Sequence, residues 1–183
     1  MPPLHGPDAP SDWVRRWAHR VRPRGRVLDV ACGGGRHLRY FAGLGCEVVG
    51  VDRDPAARDA AAGLPGASVV IADIESGPWP FEPGAFDAVV VTNYLHRPLF
   101  PRLTEALRAD GVMLYETFAA GNERYGRPAN PEFLLQPDEL LERVKPLRVV
   151  AFEQGTVERP RPAVVQRICA VRGSGASTRL DGG

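Results

Sequence analysis

The sequence predicts an α/β domain on a mostly parallel, seven-stranded sheet, and three observations carry that expectation. Short apolar runs alternate with helical segments from residue 27 to residue 118, the rhythm of βαβ units with right-handed crossovers. Three glycines, Gly33–Gly35, stand between the first apolar run and the helix that follows it. Beyond Phe118 the rhythm stops, and two further apolar runs joined by "ERPR" read as an antiparallel hairpin on the sheet edge.

Residues 1–10 are proline-rich, and a flexible segment is expected there. Ser11 caps a helix whose apolar positions Trp13, Val14, Trp17, Ala18 and Val21 recur at helical spacing, with both tryptophans read as core anchors. "RPRG" ends it. Val27–Ala31 is the first strand, "RHLRYFAGLG" a helix closed by glycine, and Val48–Val51 the second strand. "DPAARDAAAGLPG" has an early proline and a late glycine, again a helix. "SVVIA" reads as a third buried strand and "FDAVVVTN" as a fourth; a helix through Leu99–Leu107 leads to "GVMLYETF", the fifth. A polar loop over residues 119–136 follows, then a short helix opened by Pro137, then the hairpin strands "LRVVAFEQGTV" and "PAVVQRICAVR". The tail, 173–183, is low in apolar content and expected to be disordered, which places the domain at residues 11–172.

The chain of 183 residues fits one domain with a substantial core. Its 23 basic and 22 acidic residues nearly cancel, so no strong field steers it to nucleic acid or membrane. Lys145 is the single lysine, and the arginine, alanine, glycine and proline usage resembles that of GC-rich bacterial genes. Cys32, Cys46 and Cys169 form no CxxC pair and read as reduced thiols. No segment approaches 18 apolar residues, and the N-terminus lacks an apolar core of signal-peptide length, so a cytoplasmic location is expected.

A glycine-rich turn after a first strand, with Asp52 ending the second strand 19 positions beyond Gly33, is the general layout of a nucleoside site. Bare backbone admits the ligand, and the carboxylate takes the ribose hydroxyls. Two details disfavour a dinucleotide. The third glycine of that fingerprint falls on Leu38, and Asp29 at the end of the first strand would repel a pyrophosphate. The same carboxylate attracts an ammonium and a sulfonium, the charges of S-adenosylmethionine.

"VLDVACGGGRHLRYFAGLGCEVVGVDRD" resembles motifs I and II of class I S-adenosylmethionine-dependent methyltransferases, whose usual form is LDLGCGTGR. It is most similar to the compact branch that includes the tellurite-resistance type. The resemblance implies a single Rossmann-like domain, doubly wound, of strand order 3-2-1-4-5-7-6 with strand seven antiparallel. It implies S-adenosylmethionine as cofactor and S-adenosylhomocysteine as product. Carried over, Asp29 orients the methionine end or its water shell, Gly33 and Gly35 give close backbone approach, Asp52 holds the ribose and Arg53 flanks the adenine. Asp73 meets the adenine amino group and Ile74 packs on the base, although Asp73 also fits an ordinary strand-end carboxylate. Ala31 replaces the family's first glycine, leaving slightly less room beside the methionine moiety.

The methyl group of this fold points toward the end of strand four, here "TNYLHRPLF". Asn93-Tyr94-Leu95-His96 lacks the prolines of the tetrad that serves exocyclic amines and glutamine amides, and no cysteine fits a nucleophilic role. In-line displacement on a small-molecule acceptor remains, with His96 as candidate base and Glu116 next to the same cleft. Asn93 and Tyr94 line the acceptor pocket, contact cofactor or simply pack. The 119–136 loop reads as a lid or a solvated excursion. Arg97, Arg124 and Arg127 together favour an anionic acceptor, set against an arginine content that is high throughout the chain. "DIES" has no histidine or cysteine at ligand spacing, so no metal is expected. His5, His19 and His37 read as surface or turn histidines. The rivals are RNA methylation through the basic run Arg15 to Arg26, protein methylation, and a non-enzymatic S-adenosylmethionine-binding protein. Nucleic acid is disfavoured, since no RNA-binding motif accompanies the run.

Overall fold

A computed structural model describes residues 9–173. The expectations for residues 1–8 and 174–183 lie outside it. Seven strands form one sheet: β1 (Arg26–Val30), β2 (Glu47–Asp52), β3 (Ala67–Ile71), β4 (Phe86–Thr92), β5 (Leu107–Phe118), β6 (Arg148–Val157) and β7 (Ala163–Val171). Their order is β3-β2-β1-β4-β5-β7-β6, as the resemblance implied. β1 to β5 pair in parallel, and β7 runs antiparallel between β5 and β6.

Every residue of β4 is buried, because helices cover both faces of the sheet. Alternate side chains serve alternate faces. Val89 and Val91 join Phe100, Leu103, Tyr115 and Leu140 on one side. Ala88 and Val90 join Trp13, Trp17, Leu38 and Phe41 on the other. Helices α1 (Asp12–Trp17) and α2 (Arg36–Gly43) therefore cover the second face, and α3 (Phe100–Ala106) and α4 (Glu139–Arg143) the first. Among the described residues no helix is long and apolar enough to cross a membrane.

Local chemistry sets the boundaries. Ser11 Oγ accepts from Trp13 N and Val14 N, starting α1 as its residue type predicts. Four expectations need correction. Residues 54–66 form only a 3-10 helix over Pro55–Ala61; Ala57 is its one buried side chain, too little apolar stripe to hold an α-helix on the sheet. β3 is half-buried, since it is the sheet edge. β5 begins at Leu107, and its pairing with β4 shifts between Phe86 and Ala88. The 119–136 segment is anchored: it contains two 3-10 turns, an Ala119–Leu135 bridge, buried Leu134 and Leu135, and Asn122 whose Oδ1 accepts from Val164 N.

Candidate functional site

The strand order reverses between β1 and β4, and in open α/β sheets ligands bind outside the strand ends at that point. The glycine turn lies there. Ala31, Gly33 and Gly35 all adopt positive φ (54, 48 and 73°). A Cβ on Gly33 or Gly34 would meet nothing within 4 Å, so the backbone faces open space. A Cβ on Gly35 would lie 2.6 Å from Ala60 Cβ, so its bareness serves packing against the 3-10 helix. Ala31 occupies a left-handed conformation that disfavours a side chain, which stores strain at the mouth of the site.

Asp29 is 1% exposed; its Oδ1 lies 3.6 Å from His37 Nδ1, and its Oδ2 has no hydrogen-bond partner. A buried, orphaned carboxylate oxygen beside an open glycine backbone suits a cationic ligand group. Asp52 accepts from Gly33 N and Asp54 N, each at 2.9 Å, tying the end of β2 to the turn. With Ala31, Arg53, Asp73, Ile74 and Tyr94 it lines a cleft of ≈ 160 Å³. The Asp73 carboxylate caps its own turn, accepting from Ser76 Oγ and from the amides of Ser76 and Glu75, and these bonds lower its pKa. The Tyr94 hydroxyl donates to Glu75 Oε1, while burial, then the charge and hydrogen bond of Glu75, push the phenol up.

A second cleft, of ≈ 150 Å³, is lined by Asn93 and, among others, by Ser11, Arg36, Glu116, Phe118 and Arg167. Asn93 stands at φ 56° and its amide donates to the Glu116 carbonyl, so the ends of β4 and β5 are held together. Glu116 Oε1 accepts from Ser11 Oγ at 2.8 Å, and Oε2 lies 3.4 Å from Arg167 Nη1.

The structure brings Asn93 and Glu116 together but not His96. His96 Nδ1 lies 4.0 Å from Glu75 Oε2, and His96 is not among the residues lining either cleft. His37, read as a surface or turn histidine, is buried at 2% exposure. Its Nε2 accepts from Ser11 N at 3.2 Å, which leaves the proton on Nδ1, facing Asp29. The one sequence signal for this was its place beside Leu38 at the start of α2. Arg97, Arg124 and Arg127 do not line the second cleft. Arg97 pairs with Glu139 and donates to two loop carbonyls, Glu132 and Leu134, and Arg124 bonds the Gly121 carbonyl. Within the arginine run, Arg15, Arg16 and Arg26 pair with Asp12, Glu153 and Glu47. All three cysteines are buried and free.

Comparison with known proteins agrees with this geometry. Residues 27–111 match a family model described as a methyltransferase domain. Those residues are thus similar to methyltransferase domains, and the solved structures that resemble the fold use S-adenosylmethionine. Similar solved structures include an S-adenosylmethionine-dependent methyltransferase from Methanosarcina mazei, 16% identical over 90% of this chain and 98% of that one, with a TM-score of 0.69. Another, from Mesorhizobium loti, is 19% identical over 91% and 100%, with a TM-score of 0.70. TehB from Haemophilus influenzae is 19% identical, with a TM-score of 0.69, over 88% of this chain and 62% of that one. At these identities the likeness is one of fold. No curated protein matches the sequence.

Proposed function

We propose that this methyltransferase places its cofactor over the glycine turn and transfers the methyl group to a small molecule in the cleft beside Glu116. The observation that carries the reading is the division at the end of β4: Asn93 lines one cleft and its neighbour Tyr94 the other. Open space over Gly33 and Gly34 and the orphaned Asp29 Oδ2 support the fit of an amino-acid-bearing nucleoside. When bound, S-adenosylmethionine supplies a methyl group on a positively charged sulfur.

The protein's own residues do the rest. Asp29 holds the ammonium, directly or through water, Ala31 and Gly33 border the methionine end, and Gly35 keeps the turn tight. Asp52 would accept from the ribose hydroxyls, Arg53 and Ile74 would flank the adenine, and Asp73 would accept from its amino group. Asn93 lies between donor and acceptor. The acceptor's lone pair would displace the thioether from that methyl carbon, the sulfur keeping the electron pair of the broken bond. Positioning carries much of such a displacement. Where the acceptor carries a proton, Glu116 takes it, being the candidate base that lines the cleft; His96 stays a second candidate, linked to the cofactor side through Glu75. Three buried free cysteines support a reducing, cytoplasmic setting.

Calorimetric titration of S-adenosylmethionine, S-adenosylhomocysteine and NAD, on wild type and Asp52→Ala, tests the cofactor site. Binding of both sulfur nucleosides, lost in the variant and absent for NAD, is the expected result. Binding of NAD in their place overturns it.

A further inference from the structure

We infer that the acceptor cleft takes a small molecule with an apolar body and an anionic head, seated on the arginines of the β6–β7 turn. The inference rests on reading this cleft as the acceptor site.

Two acids line the cleft. Glu116 lies beside Arg167, which also holds Glu153, and Glu153 pairs in turn with Arg16. Two guanidinium groups thus face two carboxylates, and the chain is neutral. Asp12, the other acid, lies 3.7 Å from Arg15. Arg36, Arg159 and Arg161 line the same cleft, and among the described residues none of the three pairs with a carboxylate. Among the described residues, three positive charges therefore remain unmatched around one pocket.

Two of these arginines are held in place. Arg36 Nη2 donates to Thr92 Oγ1 at 3.0 Å. Arg161 Nη2 donates to the Arg127 carbonyl at 3.1 Å, and its guanidinium lies 5.8 Å from the centre of the Phe118 ring. A guanidinium fixed in this way loses less freedom on meeting an anion, and its planar fork matches carboxylate and phosphate oxygens. Between the arginines the wall is apolar, with Phe118, Val157 and Val165. Such a wall rejects a fully solvated inorganic ion and favours an organic body.

The layout also sets direction. Val165 pairs with Phe118 and Arg167 with Glu116, so Arg159 and Arg161, further back in the chain, form the outer wall. Glu116 and Asn93 form the inner wall together with Arg36, which follows Gly35 of the glycine turn and bonds Thr92 at the end of β4. A head group on the outer arginines leaves the opposite end of the molecule at Glu116, on the cofactor side. Amines are excluded by the same charges that draw acids in.

The test uses full-length protein saturated with S-adenosylhomocysteine and four matched probes: hexanoate, hexyl phosphate, hexanol and hexylamine. Calorimetry or ligand-observed NMR reads their binding to wild type, to Arg159→Gln/Arg161→Gln and to Arg159→Lys/Arg161→Lys. The expected result is binding of the two anions, weakened about tenfold in the glutamine pair and within about threefold of wild type in the lysine pair. Hexanol binds more weakly and hexylamine not at all. The stronger of the two anions then identifies the head group as carboxylate or phosphate. Equal binding of hexylamine or hexanol, no binding of either anion, or an unchanged affinity in the glutamine pair overturns the inference. S-adenosylhomocysteine affinity, measured first on every variant, keeps the two questions apart. Its failure on wild type removes the cofactor reading, and the probes are then titrated on the protein alone.

Discussion

The Ser11 hydroxyl donates to Glu116 Oε1 over 2.8 Å, across 105 positions of sequence. The same oxygen accepts from the amides of Trp13 and Val14. One atom therefore starts α1 and holds the carboxylate that lines the proposed acceptor cleft. Ser11→Ala is expected to cost about 1 kcal/mol in thermal or urea unfolding, the usual loss for an N-cap, and to slow methyl transfer. Ser11→Asn restores the cap but not the Glu116 contact. Recovery of stability without recovery of rate assigns Ser11 a positioning role; recovery of both shows that the cap alone matters.

Glu116→Gln keeps the side chain's size and removes its basicity. With an acceptor that must lose a proton, kcat is expected to fall roughly 100-fold while S-adenosylhomocysteine affinity stays unchanged. A full pH–rate profile on both proteins checks this. Identical profiles would mean that no proton passes to Glu116.

Ala31 holds φ 54° where a glycine would rest without strain. Ala31→Gly is expected to stabilise the fold by about 1 kcal/mol, relief of a left-handed side chain less the entropy that glycine adds to the unfolded chain. Chemical denaturation measures it, and a lower midpoint would show that the strain is absent.

The strands were legible in the sequence because a strand buried on both faces reads as an unbroken apolar run, as β4 does from Phe86 to Thr92. The hairpin was legible because the alternation with helices stops before it. Helix type at 55–61 was not, since alanines give no stripe by which to judge what the segment packs against. His37 was misread because a single polar residue on a helix face carries no mark of burial; its partners, Ser11 and Asp29, come from two other elements. The cationic cluster was invisible for a related reason. Arg36 and Arg161 lie far apart in a chain rich in arginine, and only the folded sheet selects them from the arginines that carry structural bonds, such as Arg97.

Glu139 predicts an acid-sensitive joint. Hydrogen bonds from Arg97, the Gln136 amide and Arg143 outweigh burial and lower its carboxyl from 4.5 to about 2. A depressed carboxyl contributes stability that is complete above the unfolded value and is lost as pH falls through the folded one. The loss therefore runs from about pH 4.5 down to about pH 2. Unfolding of wild type and Glu139→Gln across that range is expected to show a gap of roughly 1–2 kcal/mol at neutral pH, allowing for solvent screening, that closes toward pH 2. A gap constant with pH would assign the effect to packing.

Burial, reinforced by Asp29 and then Asp52, pushes the Cys32 thiol up to about 12, and burial does the same for Cys169. Both stay protonated at pH 8 and resist iodoacetamide in the folded protein. Mass spectrometry is expected to find three alkylated cysteines only after denaturant is added. Rapid labelling of Cys32 in the native state would mean that the glycine turn opens on its own.

The segment that matches as a methyltransferase domain ends at residue 111, whereas the second cleft also draws on residues 9–12 and on the β6–β7 hairpin with Arg159 and Arg161. Arg36 and Asn93 belong to the matched segment, but the arginines proposed to seat the acceptor's head group, Arg159 and Arg161, lie outside it. Mutation can reshape the hairpin turn without touching the turn that receives the donor. On the proposed reading, acceptor preference can therefore be retuned at Arg159 and Arg161 with the glycine turn left as it is.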